Sequence, residues 1–499
     1  MSMRTINSRD FGYLTPKLNG SARGADAVVT AANRVTGKTI MRWRVSRQYW
    51  IRDALQHPIR TRPTLASVES INAESFGFRR WSADVEIDVR SPITERGFHA
   101  MPLAEQVDYL RTWTPENPNW DGPTLEGLAA TLQAAVKVHP LLYIESASEF
   151  AGLDPLYASA LVRGLSEGLE GKTVSNWKPF WTFADWILAQ PDPEIGVRDG
   201  FSGETRLGRR WQNCRLEIVR FLDATLNGEL AALPLSERAS LWPVIELLTR
   251  DPSPATADEA AGDKCSMDPF TLSLNTVRGE ALHAVCSFVH WIRSNSPEAA
   301  TGGENLDDVP EARAALETHL DPRLEPSLTI RSVFGANLLR LAHWAEAWLR
   351  CHLEQILPAH GHDELRQIAW ETYVRFSCAN SKVLALFHQE YSAAITRMSQ
   401  DGLPERRSKD ALVSLGQHLV VNYCRRSLDF EQPGDLLAAF FARAPESVRA
   451  AVLAFVARSL AQPAEPISPD FVERLLKLWN WQAQRETTAV GAGSQDEAA

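Results

Sequence analysis

Residues 267–292 read MDPFTLSLNTVRGEALHAVCSFVHWI, and the Val277-Arg278 pair inside that stretch returns as Ile330-Arg331 and Val448-Arg449. Each pair sits in the first turns of an apolar-periodic segment, the pattern left by stacked helical repeats. Ala281, Leu282, Ala284, Val285, Phe288, Val289 and Ile292 give the stretch a wide apolar surface of helical period. Cys286 then falls at the edge of the core, and Glu280, His283, Ser287, His290 and Ser294 form a polar stripe opposite. Glu280, His283, Cys286 and His290 are side chains of metal-binding type at spacings of three, three and four. No second helix pattern closes such a set, so the stretch reads as a repeat helix without a metal. Gly279 inside a helix costs ~1 kcal/mol relative to alanine and asks for a packing reason such as a close helix crossing. Arg278 is expected to span an interhelical gap to a carboxylate or carbonyl, with a ligand- or partner-facing role as the alternative.

The same helical signal runs almost without interruption from Leu103. Leu207, Trp211, Cys214, Ile218 and Phe221/Leu222 predict a helix of about six turns that stops at Asn227-Gly228. Pro445 starts another, with Val448, Val452, Phe455/Val456 and Leu460 as its stripe. Ser468-Pro469-Asp470 leads into Val472, Leu475, Leu476 and Trp479. Between the helices stand short breaks: Asp154-Pro155, Pro191-Asp192-Pro193, Asp251-Pro252, Asp321-Pro322 and Gly402-Leu403-Pro404. Short connections favour antiparallel neighbours, so the unit is an αα-hairpin, and no strict period survives. The fold expected is all-α, an irregular αα-hairpin solenoid of HEAT/TPR-like type with a small mixed N-terminal region. Ser253–Lys264 and Ser294–Asp308 lack apolar periodicity and read as exposed loops flanking the central helix.

Charge separates one end from the rest. Residues 1–100 hold 16 Lys and Arg against 9 Asp and Glu, a net +7, so the remainder carries −17 of the total −10. Within that basic region, 83–90 alternates polar and apolar residues like a half-buried strand. The domain reading is a basic mixed or partly ordered region over 1–100, a helical domain over 101–264, a helical-repeat domain over 265–483 and a disordered tail over 484–499. The six cysteines lie far apart with no CxxC pair, as expected of reduced thiols in a cytoplasmic protein. Neither an N-terminal apolar h-region nor a run of ~18 apolar residues occurs, so no secretion signal or membrane span is expected. The 16 Trp fall mostly in helical patterns and read as packing residues.

Catalytic patterns are missing together: no GxxxxGK[ST], GxGxxG or HExxH is present, and Gly200-Phe201-Ser202-Gly203 lacks the GxSxG spacing of a nucleophile elbow. No enzyme activity and no cofactor are expected. His352, His360, His362 and Asp363 make a second metal-type cluster, set at a helix junction where histidines are expected simply to be solvated. The strongest binding signal is N-terminal, where Arg42, Arg44, Arg47 and Arg52 interleave with Trp43 and Trp50. Arginines that engage phosphates beside aromatics that stack on bases are the chemistry of single-stranded nucleic-acid sites. The competing reading docks these residues on the acidic remainder of the chain or on a protein partner.

Gly127-Leu128, Leu153-Asp154-Pro155-Leu156-Tyr157, Leu161-Val162-Arg163-Gly164-Leu165, Gly208-Arg209-Arg210-Trp211, MDPFTLSLNTVRGEALHAV (267–285) and LDPRLEPSLTIRSVFGANL (320–338) follow one another along the chain. Over residues 120–460 this series resembles the helical-repeat C-terminal half of very large bacterial anti-phage defence proteins of STAND NTPase-like type. Those carry an effector domain ahead of the repeats. Here about a hundred basic residues stand in its place, with no P-loop. The resemblance implies a sensor or scaffold part that binds a protein partner or effector subunit and lacks a catalytic engine of its own.

Overall fold

A computed structural model describes residues 90–115, 122–191, 210–255, 259, 268–296, 305–358, 360–398, 406–430, 435–461 and 471–482. The apolar periodicity becomes helix throughout: α1 (Glu95–Ala100), α2 (Leu103–Thr112), α3 (Leu125–Val138), α4 (Pro140–Ile144), α5 (Pro155–Gly168), α6 (Lys178–Leu188) and α7 (Trp211–Leu226). There follow α8 (Arg238–Thr249), α9 (Pro269–Ser273), α10 (Val277–Asn295), α11 (Pro310–Leu320), α12 (Leu328–Trp344), α13 (Glu346–Ile356) and α14 (Asp363–Phe376). The remaining helices are α15 (Ser381–Leu386), α16 (His388–Thr396), α17 (Arg406–Cys424), α18 (Leu436–Arg443), α19 (Glu446–Ala461) and α20 (471–482). The one β-bridge among the described residues pairs Arg90 with Pro123. The remainder of the 83–90 strand and the 484–499 tail lie outside the described residues.

Local chemistry sets the helix starts. Asp154 and Asp268 each precede a proline, and each accepts backbone N–H bonds from the first turn, so the Asp-Pro pairs at α5 and α9 work as caps with Pro at the first position. Helix α7 closes at Asn227, with Gly228 at φ +73°, the left-handed stop that the Asn-Gly pair predicts. It begins at Trp211, because Arg210 is already extended. Its 16 residues make about four and a half turns, fewer than the spacing from Leu207 predicts.

The helices divide into two units, one within residues 46–369 and one from residue 370 onward. This replaces the boundary expected at 264/265, which the packing crosses: α7 on one side lies along α10 on the other. In the first unit α3, α5, α7, α10 and α12 stack side by side as one layer, and α6, α8 and α11 form a second layer against it. Helix α10 is enclosed by α7, α8, α9, α11 and α12. In the second unit α17 packs on α18 and α19, and α16 on α18.

The repeated apolar-Arg pairs have a shared structural role. Val277, Ile330 and Val448 are buried. Each following arginine reaches the carbonyl end of an adjacent helix, where the last C=O groups have no partner of their own. Arg278 donates to the carbonyls of Asp251 (2.7 Å) and Pro254 (2.8 Å), just past α8. Arg331 donates to Leu320 at the end of α11 and to Gln355 in the last turn of α13, and Arg449 to Ala444 after α18. Arg366 and Arg474 do the same without the apolar-Arg signature, on Leu357 and on Tyr423 and Leu428. Burial pulls the Arg331 guanidinium down to about 10, with Glu325 opposing the shift.

Gly279 answers the question of a glycine inside α10. A Cβ there would lie 2.3 Å from the Ser273 carbonyl oxygen, so α9 and α10 meet through this position. Gly416 in α17 is equally tight, but against the side chains of Phe440 and Val452.

The two flanking loops depart from the expectation that they are exposed. Ser253 is buried and its carbonyl accepts from the Arg278 N–H, and the Glu259 carboxylate accepts from Ser327 Oγ and Thr329 N at the start of α12. Leu306 is buried, and Asp308 takes a two-pronged bond from Arg293 (2.7 and 3.2 Å). Their charged residues find helix ends and arginines, which periodicity does not report.

Candidate functional site: a polar ladder across the helix layer

Helix α10 is buried on nearly every side, so the stripe of Glu280, His283 and Ser287 does not face water; all three are at most 1% exposed. Their partners come from the neighbouring helices of the same layer. Arg220 Nε on α7 lies 3.6 Å from Glu280 Oε1, and Ser287 Oγ donates to Asp223 Oδ1 at 2.8 Å. Asn227 Nδ2 and Arg340 Nη1 both donate to the same Ser287 hydroxyl, at 3.1 and 3.3 Å.

His283 links three helices, and its bonds fix its tautomer. Asn337 Nδ2 on α12 also donates to the Val333 carbonyl, so it is a donor toward His283 Nδ1 (3.0 Å). Nε2 then carries the hydrogen and donates to Ser273 Oγ (3.2 Å), whose own hydrogen goes to the Phe270 carbonyl. The imidazole is held neutral between α12, α10 and α9.

Equivalent contacts continue outward through the layer. Arg163 on α5 reaches Glu217 on α7 at 2.8 Å, and Gln133 and Lys137 on α3 reach Glu167 on α5 at 2.7 and 3.3 Å. Every step from α3 to α12 is thus bridged by polar groups. Burial grows along the way, since the basic side chains are 57% exposed at Lys137, 45% at Arg163 and 13% at Arg220.

The electrostatics suit packing more than proton transfer. Burial first, then Arg340 and His343, push His290 down to about 4, so it is neutral near pH 7. Burial pushes the Cys214 and Cys424 thiols up to about 12, leaving them protonated and poorly nucleophilic. In the second unit, His418 Nε2 donates to the Ser377 carbonyl (2.9 Å). Its Nδ1 accepts from Tyr391 Oη (2.9 Å), which in turn lies 3.1 Å from Tyr373 Oη. Burial pushes His418 down to about 4 as well.

The sequence candidates are distributed as follows. Arg42, Trp43, Arg44, Arg47, Trp50 and Arg52 lie outside the described residues, as does Ser202. Arg278 is engaged with two carbonyls, and its Nε lies 3.0 Å from Glu325 Oε2. His352 Nδ1 donates to the Trp348 carbonyl and its ring stacks on that indole at 4.5 Å, while His360, His362 and Asp363 are exposed. Among the described residues no group of three or more His, Cys, Asp or Glu is placed to hold a metal ion. No helix among them is long and apolar enough to cross a membrane.

Sequence reasoning did not single out Arg220, Asp223, Asn227, Asn337 and Arg340. Their only signal is a charged or amide side chain set within an otherwise apolar helix, and their partners are more than 50 residues away. Compared with known proteins, the chain matches no family model, no curated protein and no solved structure.

Proposed function

We propose that this chain is a non-enzymatic helical-repeat scaffold or sensor subunit that binds a protein partner, in the setting of bacterial antiviral defence. The observation that carries the scaffold reading is the continuous layer α3–α5–α7–α10–α12, in which each neighbouring pair is tied by polar bonds. Stacked helices fixed in this way present side chains from successive repeats at set spacings, which is how repeat proteins recognise other macromolecules. Protonated thiols and neutral buried histidines accord with it. The defence setting rests on the sequence resemblance alone.

The test is affinity purification of the full chain from its native host, followed by assays of the free chain for nucleotide turnover and nucleic-acid cleavage. One stoichiometric protein partner and an inert free chain are expected. Turnover by the chain alone sinks the non-enzymatic reading.

The interleaved arginines and aromatics of residues 42–52 support a second reading, a nucleic-acid-binding subunit. It requires salt-sensitive binding of single-stranded nucleic acid that disappears when Arg42, Arg44 and Arg47 are changed together to Glu. Binding indifferent to that change counts against it.

A further inference from the structure

Helix α20 is held against its own unit through one face. Leu475 and Leu478 are buried, Trp481 lies against Phe430 and Phe441, and Arg474 bonds the carbonyls of Tyr423 and Leu428. The opposite face is not polar. Val472, Leu476 and Trp479 are 37%, 57% and 54% exposed. At helical spacings of four and three they fall within about 60° of one another around the axis. Large apolar side chains scattered singly over a surface are ordinary, but three in line on one helix mark an interaction surface.

The charges beside the stripe specify an occupant. Glu473 and Lys477 are both exposed and stand on the same flank. In an antiparallel helix pair, equal flanks face each other. A two-fold axis passing between Leu475 and Leu476 sets Val472 opposite Trp479 of a second copy and brings the two Leu476 side chains together at the centre. The same axis sets Glu473 within one residue of Lys477 of that copy, twice over. The stripe and its charges are thus complementary to themselves, as an isologous interface requires.

We propose that α20 is a self-association surface, through which two copies of this chain pair as antiparallel helices. This goes beyond the scaffold reading and does not depend on it, although a paired chain would offer two copies of any partner-binding surface. One helix pair is at the small end of protein interfaces, so the association is weak and concentration-dependent, roughly micromolar.

Sedimentation equilibrium of the full chain over a concentration series tests it. A reversible monomer–dimer equilibrium is expected, weakened roughly tenfold or more by Leu476→Glu. Glu473→Lys or Lys477→Glu alone weakens it several-fold, and the double change restores it, because the pair is then reversed on both sides. All four positions are exposed, so circular dichroism should be unchanged in every variant, which separates lost association from lost folding. A chain that stays monomeric throughout overturns the proposal. So does a dimer indifferent to Leu476→Glu, or a double charge reversal no tighter than the single ones.

Discussion

In the first unit the gap between neighbouring helices is crossed by charge: Arg220 of α7 faces a fully buried Glu280 on α10. In the second it is crossed by a neutral chain, Tyr373 to Tyr391 to His418 to the Ser377 carbonyl. A buried ion pair binds hard to its partner, and removing one member strands the other. A neutral chain needs no counter-charge, but it fails when a proton arrives. The comparison therefore separates two vulnerabilities, mutation of a charge on one side and acid on the other.

The largest effect is expected from Glu280→Ala, which leaves Arg220 beside a buried void. About 3–5 kcal/mol of stability should be lost, read as a fall in the denaturant midpoint. High salt should not mimic the change, because a buried pair is poorly screened. A loss below about 1 kcal/mol would mean that the Arg220 bonds to Leu274 and Asn275 already suffice, and the contrast between the units would dissolve.

Acid comes next. His418 is pushed down to about 4 from an ordinary 6.5, so the unfolded chain takes up a proton at a higher pH than the folded one. Its contribution is complete above about pH 6.5 and is lost progressively as pH falls toward 4, roughly 3 kcal/mol over that window. His290 adds a smaller effect of the same sign, since it is less completely enclosed. Unfolding measured at several pH values should show the slope, and His418→Gln should remove the larger part of it. An unchanged slope would place the acid sensitivity elsewhere.

What the sequence made legible is the part that depends on near neighbours. The apolar stripe of residues 277–292, the Asn227-Gly228 stop and the Val448 helix all follow from spacing within a few turns. The inward turn of Glu280, His283 and Ser287 depends on which helix lies across from them. Arg220 is 60 residues before Glu280, and Asn337 is 54 after His283. An amphipathic pattern reports that a face is polar; whether that face meets water or another polar helix is a long-range matter. The expected break at 264/265 misled for the same reason, since a polar loop in the chain need not be a gap in the packing.

Glycine substitution sharpens the contrast between rigid and yielding neighbours. At Gly279 an added methyl meets a backbone carbonyl that cannot turn aside, and Gly279→Ala should cost about 1–3 kcal/mol. At Gly416 the obstacles are the Phe440 ring and a Val452 methyl, which can shift, so Gly416→Ala should cost less under the same denaturant assay. Equal costs would mean that the Phe440 side of α17 is as fixed as the α9–α10 crossing.

The smallest expected effect lies at the outer end of the ladder and isolates burial from pairing. Lys137 and Glu167 make the same kind of contact as Arg220 and Glu280, at 3.3 Å, but the lysine is 57% exposed. Coulomb attraction there is diluted by water and offset by the ordering of a long side chain, so Lys137→Ala should change stability by only about 0.5 kcal/mol or less. Gln133 also donates to Glu167, so the carboxylate keeps a partner. A loss approaching that of Glu280→Ala would show that the ladder acts as one cooperative network, in which the exposed step is as necessary as the buried one.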